Sequence, residues 1–307
     1  MAISAKDVMK LRAATGAGMM DCKKALAETD GDFEKAVELL QIKGLGAAQK
    51  KADRVAAEGL IAGAISDDET QGVLVEVNSE TDFVARNEEF IQFVDALAKT
   101  ALEHNVQTLE ELLAAPFEGG SVEDKRKALI ATIGENITVR RIERVQREGN
   151  GLVGEYVHNG NIGVLVSLDA NQDVAGNEAV QQLARDVAMH VAAMNPQFGT
   201  EDEIDENVVE EQTRLEKEKA LESGRPEKII EKMVVGRIAK WKKEICLLSQ
   251  PFVKDGDLTV AQEIERVSKE TGIDISFAQF VRLVRGEGIE KKEEMSYAEE
   301  VAAALKG

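Results

Sequence analysis

The chain has 307 residues, of which 43% are hydrophobic and 31% are charged, so it can bury sizeable cores in roughly two to three domains. Its 57 acidic residues outnumber 38 basic ones, and the formal net charge of -19 repels phosphate backbones, which argues against direct nucleic-acid binding. The two cysteines form no CxxC pair, and no stretch approaches the ~20 apolar residues of a membrane span. We therefore expect a cytoplasmic protein without a disulfide framework, a thiolate metal site or a membrane anchor.

Residues 1–54 are expected to form a small helical docking domain and the linker that follows it. The apolar spacing predicts three short helices, of which the third ends at Gly44, and the basic stretch 50–54 then lies in the linker. Met19 and Met20 are adjacent, so they cannot both face one core, and adaptable methionine side chains suit a binding surface. Packing of both within the bundle is the alternative.

An internal repeat organises the next part of the chain. Glycine-led strands begin at Gly59 and Gly72, and a helix begins at Asn87; the same pattern recurs 92, 91 and 90 residues further along. We therefore expect two related subdomains, each a hairpin plus a helix, packed pseudo-symmetrically. The first spans residues 55–145, and the second spans 146–198 together with 248–285.

A large apolar ring, Phe83, lies in the polar connection between the strand and the helix of the first subdomain. When the two repeats are aligned through Asn87 and Asn177, the position of Phe83 is taken by Asp173. The subdomain architecture therefore does not require this ring. Two interpretations stay open: the ring folds back onto the neighbouring helix, or it is a wedge presented to a partner.

The hairpin of the second subdomain carries a histidine at its tip. Asn159 and Gly160 predict a tight turn, so the imidazole of His158 should lie close to an exposed loop. A solvated histidine without a function is the alternative.

Residues 199–247 interrupt the second subdomain. A densely charged helix within 201–222, a turn at 223–226 and a return helix from Ile230 to Ile245 predict an antiparallel coiled-coil hairpin. Its narrow apolar seam offers surface for a homodimer, and a monomeric spacer is the alternative.

The chain then returns to the second subdomain. A capping box at Thr259 predicts a helix, and residues 275–284 predict a strand. Residues 286–307 are expected to form a short C-terminal helical module, with a helix start at Ser296.

Catalytic motifs are absent from the sequence. We find no phosphate loop, no HExxH helix and no nucleophile elbow, and the three histidines are widely spaced. The sequence therefore predicts an α+β protein that is not an enzyme and that has no catalytic residues, no metal site and no cofactor.

Four stretches together resemble the bacterial elongation factor Ts family. They are Leu11–Leu26, Thr81–Ala85, Tyr156–Leu165 and Gly286–Glu290, and the match keeps the order of the family's parts along essentially the whole chain. The resemblance implies guanine nucleotide exchange on the GTPase elongation factor Tu during translation. It also implies a ubiquitin-associated-like (UBA-like) N-terminal bundle, a two-part core and a coiled-coil dimerisation hairpin.

The resemblance further implies roles for individual residues in contacts with elongation factor Tu. One group would enter the partner and displace its Mg²⁺: Thr81, Asp82, Phe83 and Val84. His158 would press from the other side and perturb the phosphate loop. A third group would dock on the GTPase domain: Arg12, Met19, Met20, Gly286, Gly288 and Ile289.

Two other functions are weighed against nucleotide exchange. A general docking adaptor that uses only the N-terminal bundle predicts that residues 1–52 alone bind partners. A translation-associated RNA-binding protein predicts strong, salt-dependent RNA affinity, which the net charge of -19 disfavours.

Overall fold

The computed structural model describes residues 3–222 and 226–290 and shows an α+β fold, as predicted. The helices in these residues are α1 (Ala5–Thr15), α2 (Met19–Glu28), α3 (Phe33–Lys51), α4 (Glu88–Glu103), α5 (Leu109–Ala114), α6 (Val122–Ile133), α7 (Glu178–Met194), α8 (Glu206–Leu221), α9 (Glu227–Ile245) and α10 (Val260–Thr271). The strands are β1 (Glu58–Ile65), β2 (Gln71–Ser79), β3 (Pro116–Phe117), β4 (Gly120–Ser121), β5 (Ile137–Gln146), β6 (Gly151–His158), β7 (Ile162–Ala170), β8 (Pro251–Phe252), β9 (Asp255–Thr259) and β10 (Ile275–Val284).

The first three helices pack as a small bundle. α1 begins at a capping box, in which the side chains of Ser4 and Asp7 each accept a hydrogen bond from the other residue's backbone N–H. Buried side chains from all three helices fill the interior: Val8, Leu11, Cys22, Ala25, Leu26 and Ala36.

The third helix does not end at Gly44, so that expectation was wrong. α3 continues to Lys51, and Lys50 and Lys51 form its last turn rather than part of a linker. Gly44 is buried where α3 crosses α6, and a Cβ at this position would lie 3.6 Å from the Cβ of Ala131. The glycine therefore marks a close helix crossing that holds the bundle against the rest of the molecule.

Two three-stranded antiparallel sheets form the centre of the molecule. Their strand orders are β1-β2-β5 and β6-β7-β10, so the predicted strand 275–284 is confirmed as an edge strand of the second sheet. The central strands β2 and β7 are buried along most of their length, which explains their continuous apolar sequences. α4 packs on the first sheet, and α7 packs on the second.

The internal repeat predicted from the sequence is confirmed. In each half a β-hairpin is followed by a helix whose N-cap is an asparagine, Asn87 for α4 and Asn177 for α7. Each asparagine side chain accepts hydrogen bonds from two backbone N–H groups in the first turn of its helix.

The third strand of each sheet follows the same pattern. Arg144 of β5 donates to the carbonyl of Ala101 near the C-terminal end of α4, at 3.3 Å. Arg282 of β10 donates to the carbonyl of Ala192 near the end of α7, at 3.4 Å. Equivalent arginines therefore bond to carbonyls near the C-terminal ends of α4 and α7, and the Ala101 carbonyl also accepts from the N–H of Val106.

The two sheets pack face to face. Their shared interior is apolar and contains Ile61, Leu74, Val145, Val153, Leu165 and Leu283. Two backbone hydrogen bonds cross the interface: Ile61 N–H donates to the Gly160 carbonyl at 2.8 Å, and Val153 N–H donates to the Glu69 carbonyl at 2.7 Å. The two donors occupy equivalent places in the repeat, as do the two acceptors, so the predicted pseudo-symmetric packing is confirmed.

One carboxyl group lies inside the interface between the sheets. Glu155 of β6 is half-buried, and its carboxyl group lies over the backbone of Gly63 in β1. Burial raises the pKa of Glu155; Arg185 opposes this shift, and repulsion from Asp95 adds to it. Ionisation of this group therefore works against the packing of the two sheets.

The inserted helices α8 and α9 pack against each other in opposite directions. Ala220 and Ile230 meet near the turn, whereas Ile204 and Ile245 meet at the other end. Residues 223–225 of the predicted turn lie outside the described residues.

After the hairpin the chain packs against the second sheet. The capping box at Thr259 is confirmed at the start of α10, which contacts α7 and β10. The helix start predicted at Ser296 lies outside the described residues. Across residues 3–222 and 226–290, no helix combines the length and the apolar character that a membrane crossing requires.

Candidate functional site

Phe83 projects from the turn between β2 and α4. The Phe83 residue is 77% exposed, whereas Val84 and Ala85, which follow it, are buried. Val84 belongs to the core that α4 forms with the first sheet. Of the two interpretations of the sequence, folding back onto the helix is therefore wrong, and the ring is presented to solvent.

Hydrogen bonds hold the turn on both sides of the ring. Glu135 accepts from the backbone N–H of Thr81 at 2.9 Å and from its hydroxyl at 2.7 Å. Asp82 pairs with Arg86 at 2.8 Å. Glu135 could not be identified from the sequence, since a charged residue between a helix and a strand gives no signal that it bonds to a distant turn.

His158 lies at the end of β6, beside the turn predicted from the sequence. Asn159 and Gly160 both have positive φ angles, of 50° and 67°, and the N–H of Asn161 donates to the His158 carbonyl at 2.9 Å. The His158 side chain is exposed, and its Nδ1 lies 3.0 Å from the Tyr156 hydroxyl, with the two rings stacked. Tyr156 therefore fixes the orientation of the imidazole.

The segment after β10 is fastened to both subdomains. The N–H of Arg285 donates to the Asn161 carbonyl at 2.8 Å, and its guanidinium bonds to the Gly59 carbonyl at 3.1 Å. The N–H of Gly286 donates to the buried carboxylate of Glu76 at 2.7 Å. Gly288 is exposed and Ile289 is half-buried.

Three of the predicted contact segments converge on the start of β1. Gly160, in the His158 turn, lies against the side chain of Leu60. Leu60 also packs on the core that contains Val84, and Val84 is the residue that follows Phe83 in the chain. Gly286 lies against the carbonyl of Ala57. The structure therefore brings the Phe83 turn, the His158 turn and the C-terminal segment to one part of the core.

The fourth predicted segment lies on the N-terminal bundle. Met19 and Met20 are 50% and 62% exposed, so the alternative that both pack inside the bundle is wrong. Arg12 is exposed in the last turn of α1, next to the loop that leads to these methionines. The bundle contacts the core through α3 and α6, so its exposed methionines form a separate surface.

Within the described residues, no group of three or more His, Cys, Asp or Glu side chains could hold a metal ion. His190 is buried and is satisfied by Gln250 at 2.9 Å and by the N–H of Val253 at 3.1 Å, which is typical of a structural histidine.

Known proteins resemble this chain over most of its length. A family model described as Elongation factor TS matches residues 80–287, more than half of the chain. A protein named Elongation factor Ts from Clostridium botulinum (strain Eklund 17B / Type B) is 51% identical over 305 residues, covering 99% of each chain. Its namesake from Clostridium perfringens (strain ATCC 13124) is 51% identical over 302 residues, covering 98% of each. One from Alkalilimnicola ehrlichii is 50% identical over 307 residues, covering 100% of each.

Proposed function

Because the chain belongs to the elongation factor Ts family, we propose that it binds the GDP complex of elongation factor Tu and promotes the replacement of GDP by GTP. The observation that carries this proposal is the exposed ring of Phe83 on a turn that is held by hydrogen bonds to Glu135 in the free protein. An apolar side chain held ready in this way binds a partner without first paying the cost of ordering a loop.

Phe83 and Asp82 act together on the metal of the partner. A GTPase of this type holds its nucleotide through a phosphate loop and through Mg²⁺ that bridges the phosphates, so disturbing either weakens GDP binding. In the proposed complex, Thr81 to Val84 enter the partner near Mg²⁺ and displace it. Glu135, which bonds to Thr81, keeps this turn in place during entry.

His158 acts on the phosphate loop from the other side. Its exposed imidazole is held by Tyr156 at the tip of a hairpin that packs on β1, close to the base of the Phe83 turn. Two rigid contacts on one core can therefore strain the partner's nucleotide site together.

The remaining contacts supply affinity rather than chemistry. Arg12, Met19 and Met20 dock the bundle on the GTPase domain, and the segment that contains Gly288 and Ile289 makes a further contact. Separate contacts on one scaffold reinforce each other, because the first to bind raises the effective concentration of the others.

Exchange needs no nucleotide site, metal or cofactor on this chain, and hence no enzyme active site. If binding of this protein lowers the partner's affinity for GDP, GDP must lower the partner's affinity for this protein by the same factor. The excess of GTP in the cytoplasm then sets the direction of exchange.

We further propose that α8 and α9 form a coiled coil through which two copies of the chain associate, and that α1–α3 form a UBA-like module. The hairpin exposes Val208 and Val235, which are 43% and 71% accessible. Sedimentation over a concentration series tests the dimer, and a monomer at concentrations on the order of tens of micromolar contradicts it.

Release of a fluorescent GDP analogue from elongation factor Tu in millimolar Mg²⁺ tests the main proposal. Substoichiometric amounts of the full chain should accelerate release, because each molecule acts repeatedly. An unchanged release rate contradicts the proposal. Binding to elongation factor Tu without acceleration would favour the docking adaptor instead.

A further inference from the structure

A buried carboxylate on the central strand of the first sheet is not explained by that sheet. Glu76 lies on β2 between two buried valines, and its own exposure is 0%. By the internal repeat, its counterpart on β7 is Ser167, which is also buried. The fold therefore tolerates a small neutral side chain at this place, and the carboxylate of Glu76 requires a separate reason.

The donors around Glu76 point to that reason. Its oxygens accept from Asn78 at 2.9 Å, from Arg140 at 3.1 Å and from Arg141 at 2.5 Å. The fourth donor is the backbone N–H of Gly286, at 2.7 Å. Although burial opposes ionisation, the hydrogen bonds from Gly286, Asn78 and Arg141 hold the pKa of Glu76 below its usual value.

The two arginines extend this contact along the C-terminal segment. Arg141 donates to the carbonyl of Val284 at 2.8 Å, and Arg140 donates to the carbonyl of Glu287. Gly286 fits here because its φ is +71° and because a Cβ would collide with the carbonyl of Ala57. A strand that belongs to the second sheet therefore continues into a segment that is fastened to the first sheet.

We propose that Glu76 is a positioning residue that fixes residues 284–289 against the first sheet and beside the His158 turn, so that the C-terminal contact and His158 meet the partner as one preorganised surface. Glu76 touches neither the nucleotide nor, in this proposal, the partner. Only its effect on the partner rests on the exchange activity proposed above.

Amide hydrogen exchange of the full chain tests the anchor without a partner. In Glu76→Gln, amides of residues 284–289 should exchange roughly 10- to 100-fold faster, as expected for loss of a charge-assisted hydrogen bond. Protection in β1, β2 and β5 should be retained. An unchanged Gly286 amide, or protection lost evenly across the whole first sheet, overturns the proposal. Ser167→Ala, at the equivalent place in the second sheet, is the matched control and should leave residues 284–289 protected.

The GDP-release assay tests the consequence for the partner. For Glu76→Gln, the concentration that gives half-maximal acceleration should rise about tenfold, while the maximal rate stays within about twofold, because Phe83 and His158 remain in place. A lower maximal rate with an unchanged half-maximal concentration overturns the positioning role. A parent chain that does not accelerate release contradicts the proposed function, whereas the hydrogen-exchange result still decides the anchor.

A second variant covers the outcome that Glu76→Gln does not fold. Gly286→Ala leaves the carboxylate and its arginines intact, but its Cβ collides with the Ala57 carbonyl and its φ is unfavourable. It should reproduce the local loss of protection and the rise in half-maximal concentration. Parent-like behaviour of this variant in both assays overturns the proposal.

Discussion

Replacing Phe83 by alanine should slow nucleotide exchange without unfolding the protein. Because Phe83 is 77% exposed in the free protein, its removal should change the free energy of unfolding by less than about 0.5 kcal/mol. Burying a whole phenylalanine side chain against a partner contributes about 1.5–3 kcal/mol. If the exposed 77% becomes buried in the complex, Phe83→Ala should lose about 1.2–2.3 kcal/mol of binding free energy. This loss corresponds to an exchange efficiency about 7- to 50-fold lower.

The assay is stopped-flow release of a fluorescent GDP analogue from elongation factor Tu over a range of concentrations of this protein. Phe83→Leu keeps an apolar side chain and should retain most of the activity. Val253→Ala trims another exposed side chain, in the turn between β8 and β9, and serves as the matched control. Urea unfolding establishes that each variant is folded. If Phe83→Ala exchanges as fast as an active parent, the ring is not buried in the complex and the reasoning is refuted.

Five further substitutions test other parts of the structure. His158→Ala should slow GDP release. Tyr156→Phe removes only the hydroxyl that holds the imidazole and should lower the rate of GDP release about 2- to 10-fold. Parent-like rates for these variants would contradict the role of His158. Glu155→Gln should raise the free energy of unfolding at pH 7, since a carboxyl group whose pKa is raised by burial stabilises the fold only while protonated. That gain should vanish in urea titrations as the pH falls below the ordinary value of 4.5, whereas a gain that persists there would point to another cause. Gly44→Ala should stabilise α3 by about 0.5–1 kcal/mol, because its Cβ meets Ala131 at an ordinary contact distance of 3.6 Å; Gly44→Leu should instead lower the melting temperature by overpacking the crossing.

Local patterns in the sequence predicted the elements whose residues are neighbours in the chain. The apolar run of β2, the asparagine caps of α4 and α7, and the turn after His158 are all set by short-range geometry. Phe83 could be singled out because the second repeat has Asp173 in its place, so a comparison of the two repeats indicates that the fold does not require the ring.

The features that sequence reasoning missed depend on contacts between distant residues. β5 carries several charged side chains and shows no clear apolar alternation, since arginines such as Arg144 reach the ends of helices instead of facing solvent. Gly44 has the appearance of a helix stop, yet it is a crossing point, because only the position of α6 explains it. Glu76 and Glu135 are indistinguishable in sequence from surface carboxylates until their donors are placed.

The order in which the strands are synthesised has a consequence for folding on the ribosome. The first sheet is complete once Gln146 has been made, whereas the second lacks its edge strand β10 until Val284, about 140 residues later. At about 5–20 residues per second this interval lasts roughly 7 to 28 s. Once β7 is complete at Ala170, it presents an unpaired edge for the remainder of this interval. The helices α8 and α9 must emerge in full before this edge can close, so a pause in their translation would prolong its exposure.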